Sequence, residues 1–305
     1  MILTVTPNPA LDSTVTIEAL DLGETQRVPP AVTRAGGKSI NVSRVLAQRG
    51  FATTAVAPVG ADDLTEFERD LGDIPAVLLP IPGQVRRSTA IVETAVGRTT
   101  VLNETGRPVP SAAWSLVQDA VRSRLADLTC LVISGSIPPG APDSLVADLL
   151  TLATDAGVAS IADVSGQHLL TAARAGAGML KPNRRELAEA TGEADPLAGA
   201  RVLQAAGAGL VLVSLGEDGM MAVPPDGAAW LATLDAVLPG NPTGAGDAAV
   251  AGAASVIGSG VWDVRAILSR ATAWGAAAVL EPQAGSIHED CDAIERRLTI
   301  TELSR

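Results

Sequence analysis

Aromatic residues and cysteines are scarce in this chain of 305 residues. It contains no tyrosine, two phenylalanines and four tryptophans, and its only cysteines are Cys130 and Cys291. The two cysteines do not form a CxxC pair, so neither a disulfide framework nor a structural zinc site is indicated. We expect two buried thiols in a reducing compartment.

Basic residues and long apolar runs are also underrepresented. There are 22 Lys and Arg against 34 Asp and Glu, a net charge of -12, which repels nucleic-acid backbones and anionic lipids. The first residues, "MILTVTPNPALD", have no basic start ahead of the apolar run, and no uncharged apolar segment reaches membrane-spanning length. The sequence predicts a cytoplasmic protein that binds neither nucleic acid nor membrane. An anionic small substrate would need a local cluster of cations and N–H groups.

Strand-like and helix-like segments alternate along most of the chain, and 47% of its residues are hydrophobic. Apolar runs such as "ILTVT", "TTAVAPVG", "CLVISG" and "GLVLVSLG" are followed by helical patterns. This alternation predicts a parallel sheet covered by helices on both faces. The clearest predicted helices span about 39–49, 62–71, 244–257 and 262–280, with others after Pro142 and from about Gln167.

Two regions interrupt the alternation, at about 13–34 and 88–103, where strand patterns follow each other without helices. They predict a small separate sheet. Because the chain shows no repeat and no long linker, we expect one α/β domain over 1–305 with this β appendage.

Three partial motif matches fail on spacing or position. "AGGKS" ends like a P-loop, but the required first glycine falls on Val32. "GAGDAA" fits the dinucleotide pattern, but helix follows it instead of a second strand, and Asp247 would repel a pyrophosphate. His288 and Glu289 lack a second histidine at helical spacing, so a metal hydrolase has little support.

The segment "NPTGAGDAAVAG" combines bare backbone with a carboxylate at a predicted helix start. The N–H groups of Gly244, Ala245 and Gly246 would face an anion, and Asp247 would lie beside them, suited to take a proton from an alcohol. The alternative is an ordinary N-terminal acid on a tightly packed helix.

Two further segments suit a nucleotide and its metal. In "KPNRRE", Asn183 and Glu186 share a helix face and could hold a hydrated Mg²⁺, or could form a helix cap. "SLGEDG" is a strand followed by a glycine turn that permits close approach of a ligand, as do many β-turns.

The N-terminal segments suit a sugar. Asp12 and Asn41 can bond hydroxyl groups, and Gly36 and Gly37 can expose N–H groups. The basic candidates for a phosphate already on the substrate are Arg27, Lys38, Arg86 and Arg87, although a solvated charge is the ordinary alternative for each. We favour Arg27 and Arg87, and expect Arg86 to point to the opposite strand face.

Together these segments resemble the ribokinase/PfkB family of carbohydrate kinases, in particular its branch of 1-phosphofructokinases and tagatose-6-phosphate kinases. The resemblance rests on the order of "MILTVTPNPALD", "AGGKSINVSRVL", "VISGSIPPG", "KPNRRE", "VSLGEDG" and "TGAGDAAVAG" along nearly the whole chain. It implies a ribokinase-like α/β fold with a central, mostly parallel sheet. It also implies that the two strand-rich regions form a β-sheet lid, through which such proteins often form homodimers.

The resemblance also implies roles for individual residues. Asp247 would be the catalytic base, with Gly244, Ala245 and Gly246 as an anion hole for the γ-phosphoryl group. Asn183 and Glu186 would serve the Mg²⁺ shell, and the nucleotide would contact Asn183, Ser214, Gly216, Gly219 and Thr243. The sugar phosphate would contact Asp12, Arg27, Gly36, Gly37, Lys38, Asn41 and Arg87.

Three departures from the family pattern bear on these roles. Ser39 replaces a common glycine, which could crowd the sugar loop or add a hydroxyl contact, and Ala248 replaces a usual serine. The segment "EPQAG" is unusual near the adenine and monovalent-cation sites, so activation by a cation such as K⁺ is left open.

The sequence therefore predicts an enzyme that uses ATP and Mg²⁺ to phosphorylate a ketohexose phosphate, with fructose 1-phosphate preferred. Tagatose 6-phosphate and fructose 6-phosphate remain alternative acceptors. A non-catalytic regulator that binds a sugar phosphate is a different class of alternative.

Overall fold

The computed structural model describes residues 1–303, which form two β-sheets and ten α-helices. The larger sheet has the strand order β14 (Thr299–Leu303), β13 (Ala229–Thr233), β12 (Met220–Val223), β11 (Leu210–Ser214), β10 (Met179–Leu180), β9 (Ala159–Asp163), β8 (Cys130–Ser134), β1 (Ile2–Val5), β4 (Thr53–Gly60) and β5 (Ala76–Ile81). The seven strands from β5 to β11 run parallel, and β12, β13 and β14 continue antiparallel.

The second sheet, here called the lid, has the order β3 (Val32–Gly36), β2 (Ala10–Ile17), β6 (Arg86–Glu93) and β7 (Arg98–Asn103). The helices are α1 (Lys38–Gln48), α2 (Leu64–Leu71), α3 (Ser111–Arg122), α4 (Leu145–Asp155), α5 (Gln167–Arg174), α6 (Arg184–Thr191), α7 (Pro196–Ala205), α8 (Ala245–Ile257), α9 (Val264–Val279) and α10 (Cys291–Arg297). No helix in residues 1–303 is both long and apolar enough to cross a membrane.

Helices cover both faces of the larger sheet, as the alternation predicts. Successive strand residues enter opposite cores: Leu3 packs with α3, α4 and α5, whereas Ile2 packs with α1, α8 and α9. Both faces of β1, β8 and β11 are therefore buried, which explains why nearly all their residues are apolar.

Small residues let α8 lie close to its neighbour α9. A Cβ added to Gly252 would be 2.7 Å from the Arg270 carbonyl oxygen, and one added to Gly275 would be 3.2 Å from the Ala245 carbonyl oxygen. This contact, together with α1, fixes the direction of α8 and so places its N-terminus.

The main predicted elements are confirmed, with shifts at their ends. The lid strands begin at Ala10 and Arg86, earlier than the expected 13 and 88, because Ala10 pairs with both Gly36 and Arg86. The antiparallel strands β12 to β14 went unrecognised, since pairing direction is a tertiary property.

Candidate active site

The carboxyl ends of the parallel strands meet the N-termini of α1 and α8, where ligands bind in open α/β sheets. Gly244 caps α8 with φ +87°, a conformation that favours glycine. Its Cα also lies against the 281–285 segment, because an added Cβ would be 2.7 Å from Ala284 Cβ. The contact between Gly244 and the 281–285 segment thus fixes the position of the N-terminus of α8. Of the predicted anion hole, the Ala245 N–H already donates to the Pro242 carbonyl at 3.2 Å.

Asp247 lies in the first turn of α8 and is buried. Its Oδ2 accepts a hydrogen bond from Asn41 Nδ2 at 2.8 Å. Burial raises the pKa of Asp247 to about 7, although Lys38 and the Asn41 bond oppose this rise. A carboxylate with such a pKa can accept a proton at neutral pH.

Two lysines flank a buried aspartate next to this turn, and sequence reasoning missed this cluster. Lys38 Nζ is 3.2 Å from Asp163 Oδ2, and Lys181 Nζ is 3.5 Å from Asp163 Oδ1. The Ser134 hydroxyl also donates to Asp163, at 2.8 Å. Burial alone would raise the pKa of Asp163, but Lys181 and Lys38 hold it below its ordinary value.

The lysine cluster faces the start of α8. A Cβ on Gly246 would be 3.4 Å from Lys181 Nζ. Burial lowers the pKa of Lys38, but Asp163, Glu186 and Asp247 outweigh this and raise it. The Lys38 ammonium therefore stays charged beside the start of α8. Asp163 and Lys181 could have been found as polar residues at or just beyond strand ends in "VASIADVS" and "GMLKPN".

Asn183 and Glu186 form a complete capping box at the start of α6. Asn183 Oδ1 accepts from the Glu186 N–H at 2.8 Å, and Glu186 Oε2 accepts from the Asn183 N–H at 2.9 Å. The two residues therefore form the helix cap that the sequence offered as an alternative to metal binding. In this cap the Asn183 side-chain oxygen is occupied by the Glu186 N–H. In residues 1–303 there is no group of three or more His, Cys, Asp or Glu side chains suited to hold a metal ion.

The glycine turn after β11 lies beside this cap. Ser214 and Asn183 form an isolated parallel bridge. Gly216 begins a short 3₁₀ turn, and Gly219 contacts β13 so closely that a Cβ would be 2.1 Å from the Ala232 carbonyl oxygen. Thr243, by contrast, lines a cleft under the lid together with Asp12, Asn41 and Ala284.

Asp12, Gly36, Gly37 and Asn41 come together where the lid joins the larger sheet. A Cβ on Gly36 would be 2.0 Å from Asp12 Oδ2, so the carboxylate lies directly against the glycine. Burial raises the pKa of Asp12, and Arg86 is the main group that opposes the rise. Asn41 thus lies between Asp12 and Asp247.

The side chains of Arg86 and Arg87 point to opposite faces of the lid, as strand alternation predicts. However, Arg86 lies on the face of Asp12, where we expected Arg87. Arg87 binds Asp63 with two bonds of 3.0 Å, at the start of α2. Arg86 donates to the Asn8 carbonyl at 3.2 Å and acts electrostatically on Asp12. The reason is the parallel register of β2 and β6, which pairs Ala10 with Arg86 and Asp12 with Ser88. Arg27 is exposed on the loop between β2 and β3 and is not brought together with these groups.

Ser39 does not crowd the sugar loop. Its hydroxyl donates to the Val5 carbonyl at 2.7 Å, lies 3.1 Å from the Ser134 carbonyl, and accepts from the Ser134 N–H at 2.9 Å. It therefore joins the ends of β1 and β8. Ala248 is buried in the apolar packing of α8.

Comparisons with known proteins agree with this arrangement. The model of the pfkB family of carbohydrate kinases matches residues 5–291. A 1-phosphofructokinase of Xanthomonas campestris pv. campestris is 35% identical over 84% of this chain and 83% of its own length. A 1-phosphofructokinase of Haloferax volcanii is 34% identical over 88% of this chain and 87% of its own. Phosphofructokinase-2 of Escherichia coli, solved in complex with potassium, superimposes with a TM-score of 0.87 and 25% identity, covering 97% of this chain and 98% of its own.

Proposed function

The chain belongs to the pfkB family of carbohydrate kinases, and we propose that it converts fructose 1-phosphate to fructose 1,6-bisphosphate with ATP. It is an ATP-dependent sugar kinase. The observation that carries the proposal is the buried Asp247 at the start of α8, one hydrogen bond from Asn41 and beside two lysines. The choice of acceptor is supported by the curated relatives named 1-phosphofructokinase.

Asp247 takes the proton from the acceptor hydroxyl as the hydroxyl oxygen bonds to the γ-phosphorus. The bond from that phosphorus to the β–γ bridging oxygen breaks, and ADP leaves. The Asn41 amide holds the Asp247 carboxylate by one oxygen, which leaves the other free to meet the hydroxyl. Phosphoryl transfer needs little else from a protein than positioning and charge stabilisation.

Negative charge on the transferring group is met by the N-terminus of α8 and by Lys38 and Lys181. These ammonium groups are held by Asp163, so they need not reorganise when the phosphoryl group arrives. We assign the nucleotide to the turn of Ser214, Gly216 and Gly219, which lies beside Asn183.

The residues present fit a metal ion carried by the nucleotide. Mg²⁺ is commonly bound through one or two carboxylates, waters and substrate phosphates. Glu186 would supply such a carboxylate, because its Oε2 is engaged by the cap and Oε1 accepts no hydrogen bond from residues 1–303. Asn183 then orients Glu186. The metal, when bound, neutralises phosphate charge.

The acceptor lies between the lid and α8 in this proposal. Asp12 and Asn41 bond its hydroxyls, and Gly36 and Gly37 let it approach the backbone. Its phosphate meets Arg86, which replaces Arg87 as the preferred guanidinium because Arg87 is committed to Asp63. A non-catalytic regulator is disfavoured, since sugar binding alone gives no reason to bury a carboxylate and raise its pKa.

The test is a panel of fructose 1-phosphate, fructose 6-phosphate, tagatose 6-phosphate and fructose, each assayed with MgATP. We expect the highest kcat/KM for fructose 1-phosphate. A higher value for either 6-phosphate would reassign the acceptor, and no turnover with any member would reject the kinase reaction. Repeating the assay with Na⁺ and with K⁺ decides whether a monovalent cation is a cofactor.

We also infer a cytoplasmic homodimer formed through the lid. Two of its apolar residues are well exposed, Leu102 by 60% and Val32 by 48%. They lie on the two edge strands of the lid, β7 and β3, and exposed strand edges favour pairing with another chain.

A further inference from the structure

A buried arginine on α1 touches neither the proposed nucleotide nor the proposed sugar. Arg44 is only 5% exposed, although burying a charge is costly unless it is well paired. It lies one turn after Asn41 on the same helix face. The contacts of Arg44 should therefore explain why a charged side chain is buried at this position.

Arg44 and Asp70 together hold both main-chain groups of Ala35. Arg44 Nη2 donates to the Asp70 carboxylate and, at 3.1 Å, to the Ala35 carbonyl. The same Asp70 oxygen, Oδ2, accepts from the Ala35 N–H at 2.7 Å. Because β3 is an edge strand of the lid, the ion pair supplies the acceptor and donor that a neighbouring strand would supply.

The residues after Ala35 are the ones that frame the acceptor. Gly36 lies against the Asp12 carboxylate, and Gly37 caps α1. A shift of Ala35 would therefore move Gly36 and displace Asp12.

The stem of Arg44 also supports the segment that packs on the start of α8. A Cβ on Gly285 would be 2.7 Å from Arg44 Cδ and 3.0 Å from Asn41 Oδ1. The neighbouring residue Ala284 contacts Gly244 and accepts a bond from Arg34 of β3 at 3.3 Å. Arg44 is thus in contact with both sides of the acceptor cleft.

We propose that the Arg44–Asp70 ion pair is a positioning pair, which holds the Ala35–Gly37 segment and, through it, Asp12 and the lid in the geometry that binds the acceptor. This inference rests on the proposed kinase function. It concerns acceptor binding and not the turn of Ser214, Gly216 and Gly219, to which the nucleotide is assigned.

The first test is Arg44→Lys, which keeps the charge but loses the planar fork that reaches Asp70 and Ala35 at once. We expect the KM for the sugar phosphate to rise roughly tenfold, the effect of losing about one hydrogen bond to a charged group. The KM for MgATP should stay within about twofold and kcat within about threefold, since lysine keeps the Cδ that packs against Gly285 and so keeps the support of the start of α8. Arg49→Lys is the matched control, because Arg49 ends the same helix and binds Asp292 with bonds of 2.9 and 3.0 Å far from the lid.

A double variant separates positioning from stability. Arg44→Met combined with Asp70→Leu replaces both charges by apolar groups of similar size, a change that is often neutral or stabilising. We expect its melting temperature to fall less than that of Arg44→Met alone, which leaves the Asp70 charge unpaired, while the acceptor KM still rises. Amide hydrogen exchange resolved to Ala35 should become faster in the free protein, because its N–H has lost its acceptor.

The inference is overturned if the double variant keeps the wild-type acceptor KM and slow Ala35 exchange. It is also overturned if Arg44→Lys lowers the apparent kcat in proportion to the folded fraction and leaves the acceptor KM unchanged. A wild-type protein without turnover on any sugar phosphate would instead reject the proposed function. The Ala35 exchange measurement remains informative in that case.

Discussion

At the scale of single residues, Asp247 determines how the reaction depends on pH. Its pKa is raised to about 7 by burial, and only the ionised form accepts a proton. The kcat/KM for the acceptor should therefore rise about tenfold per pH unit below that value and level off above it, as measured over pH 5.5 to 9.

Asp247→Asn should lower kcat by roughly 10² to 10⁴. An unchanged kcat in this variant would remove Asp247 from the mechanism.

The raised pKa of Asp247 also makes the stability of the folded protein depend on pH. The folded state holds the Asp247 proton more tightly than the unfolded state. The protonated carboxyl therefore contributes fully to the free energy of unfolding below the unfolded-state pKa of about 3.9, and this contribution is lost as the pH rises to the folded-state pKa. Asp247→Asn does not ionise and avoids this loss. Its melting temperature relative to wild type should therefore increase between pH 4 and pH 7, which calorimetry would detect. A constant difference across this range would show that the carboxylate is not destabilised by burial.

Arg86 and Arg87 offer a paired comparison at adjacent positions. Arg86→Ala should weaken the sugar phosphate by about 1.5 to 3 kcal/mol, the range for a charge-assisted hydrogen bond. Activity toward unphosphorylated sugar should change little, so the preference for the phosphorylated acceptor should shrink. Arg87→Ala should instead lower the melting temperature, because it leaves Asp63 without its bidentate partner. A larger selective loss in Arg87→Ala would restore the original assignment.

At the scale of elements, the β2–β3 pair places Asp12 through its contact with Gly36. Gly36→Ala should push the carboxylate aside, since the new Cβ would start 2.0 Å from Asp12 Oδ2. We expect the acceptor KM to rise while the KM for MgATP is unchanged. Because both changes act on one group, Asp12→Ala combined with Gly36→Ala should be no worse than Asp12→Ala alone. Additive losses would show that Gly36 acts separately from Asp12.

At the scale of the whole molecule, the lid is the proposed dimer surface. Leu102→Asp places a charge on an apolar side chain that is 60% exposed on β7. In light scattering, the wild type should have twice the mass of the 30.8 kDa chain and the variant should have the mass of one chain. Leu116→Asp, on the exposed side of α3, serves as the control because Leu116 is 50% exposed away from the lid. A wild-type monomer, or dissociation by the control alone, would contradict a lid-mediated dimer.

Local patterning in the sequence was sufficient to determine most of the architecture. Predominantly apolar runs such as β1 and β8 predict strands buried on both faces, and the helix predicted at 39–49 is observed at Lys38–Gln48. The grouping of Asp12, Gly36, Gly37 and Asn41 came from the resemblance to the family, and their positions at strand and helix ends agree with it. The start of α8 was also predicted from the local sequence, because a Gly-Ala-Gly-Asp helix start can be recognised without knowing any distant partner.

Tertiary structure alone decided which charged side chains enter the site. Period-two alternation separates Arg86 from Arg87, but only the register of β6 against β2 says which of them faces Asp12. The pairing of Lys38 and Lys181 with Asp163 joins residues on α1, after β10 and on β9. The Arg44–Asp70 pair, likewise, depends on how α2 packs against the lid edge. Local sequence governs local conformation, whereas a long side chain is directed by its partners, and those are brought near it only when the sheet and helices pack.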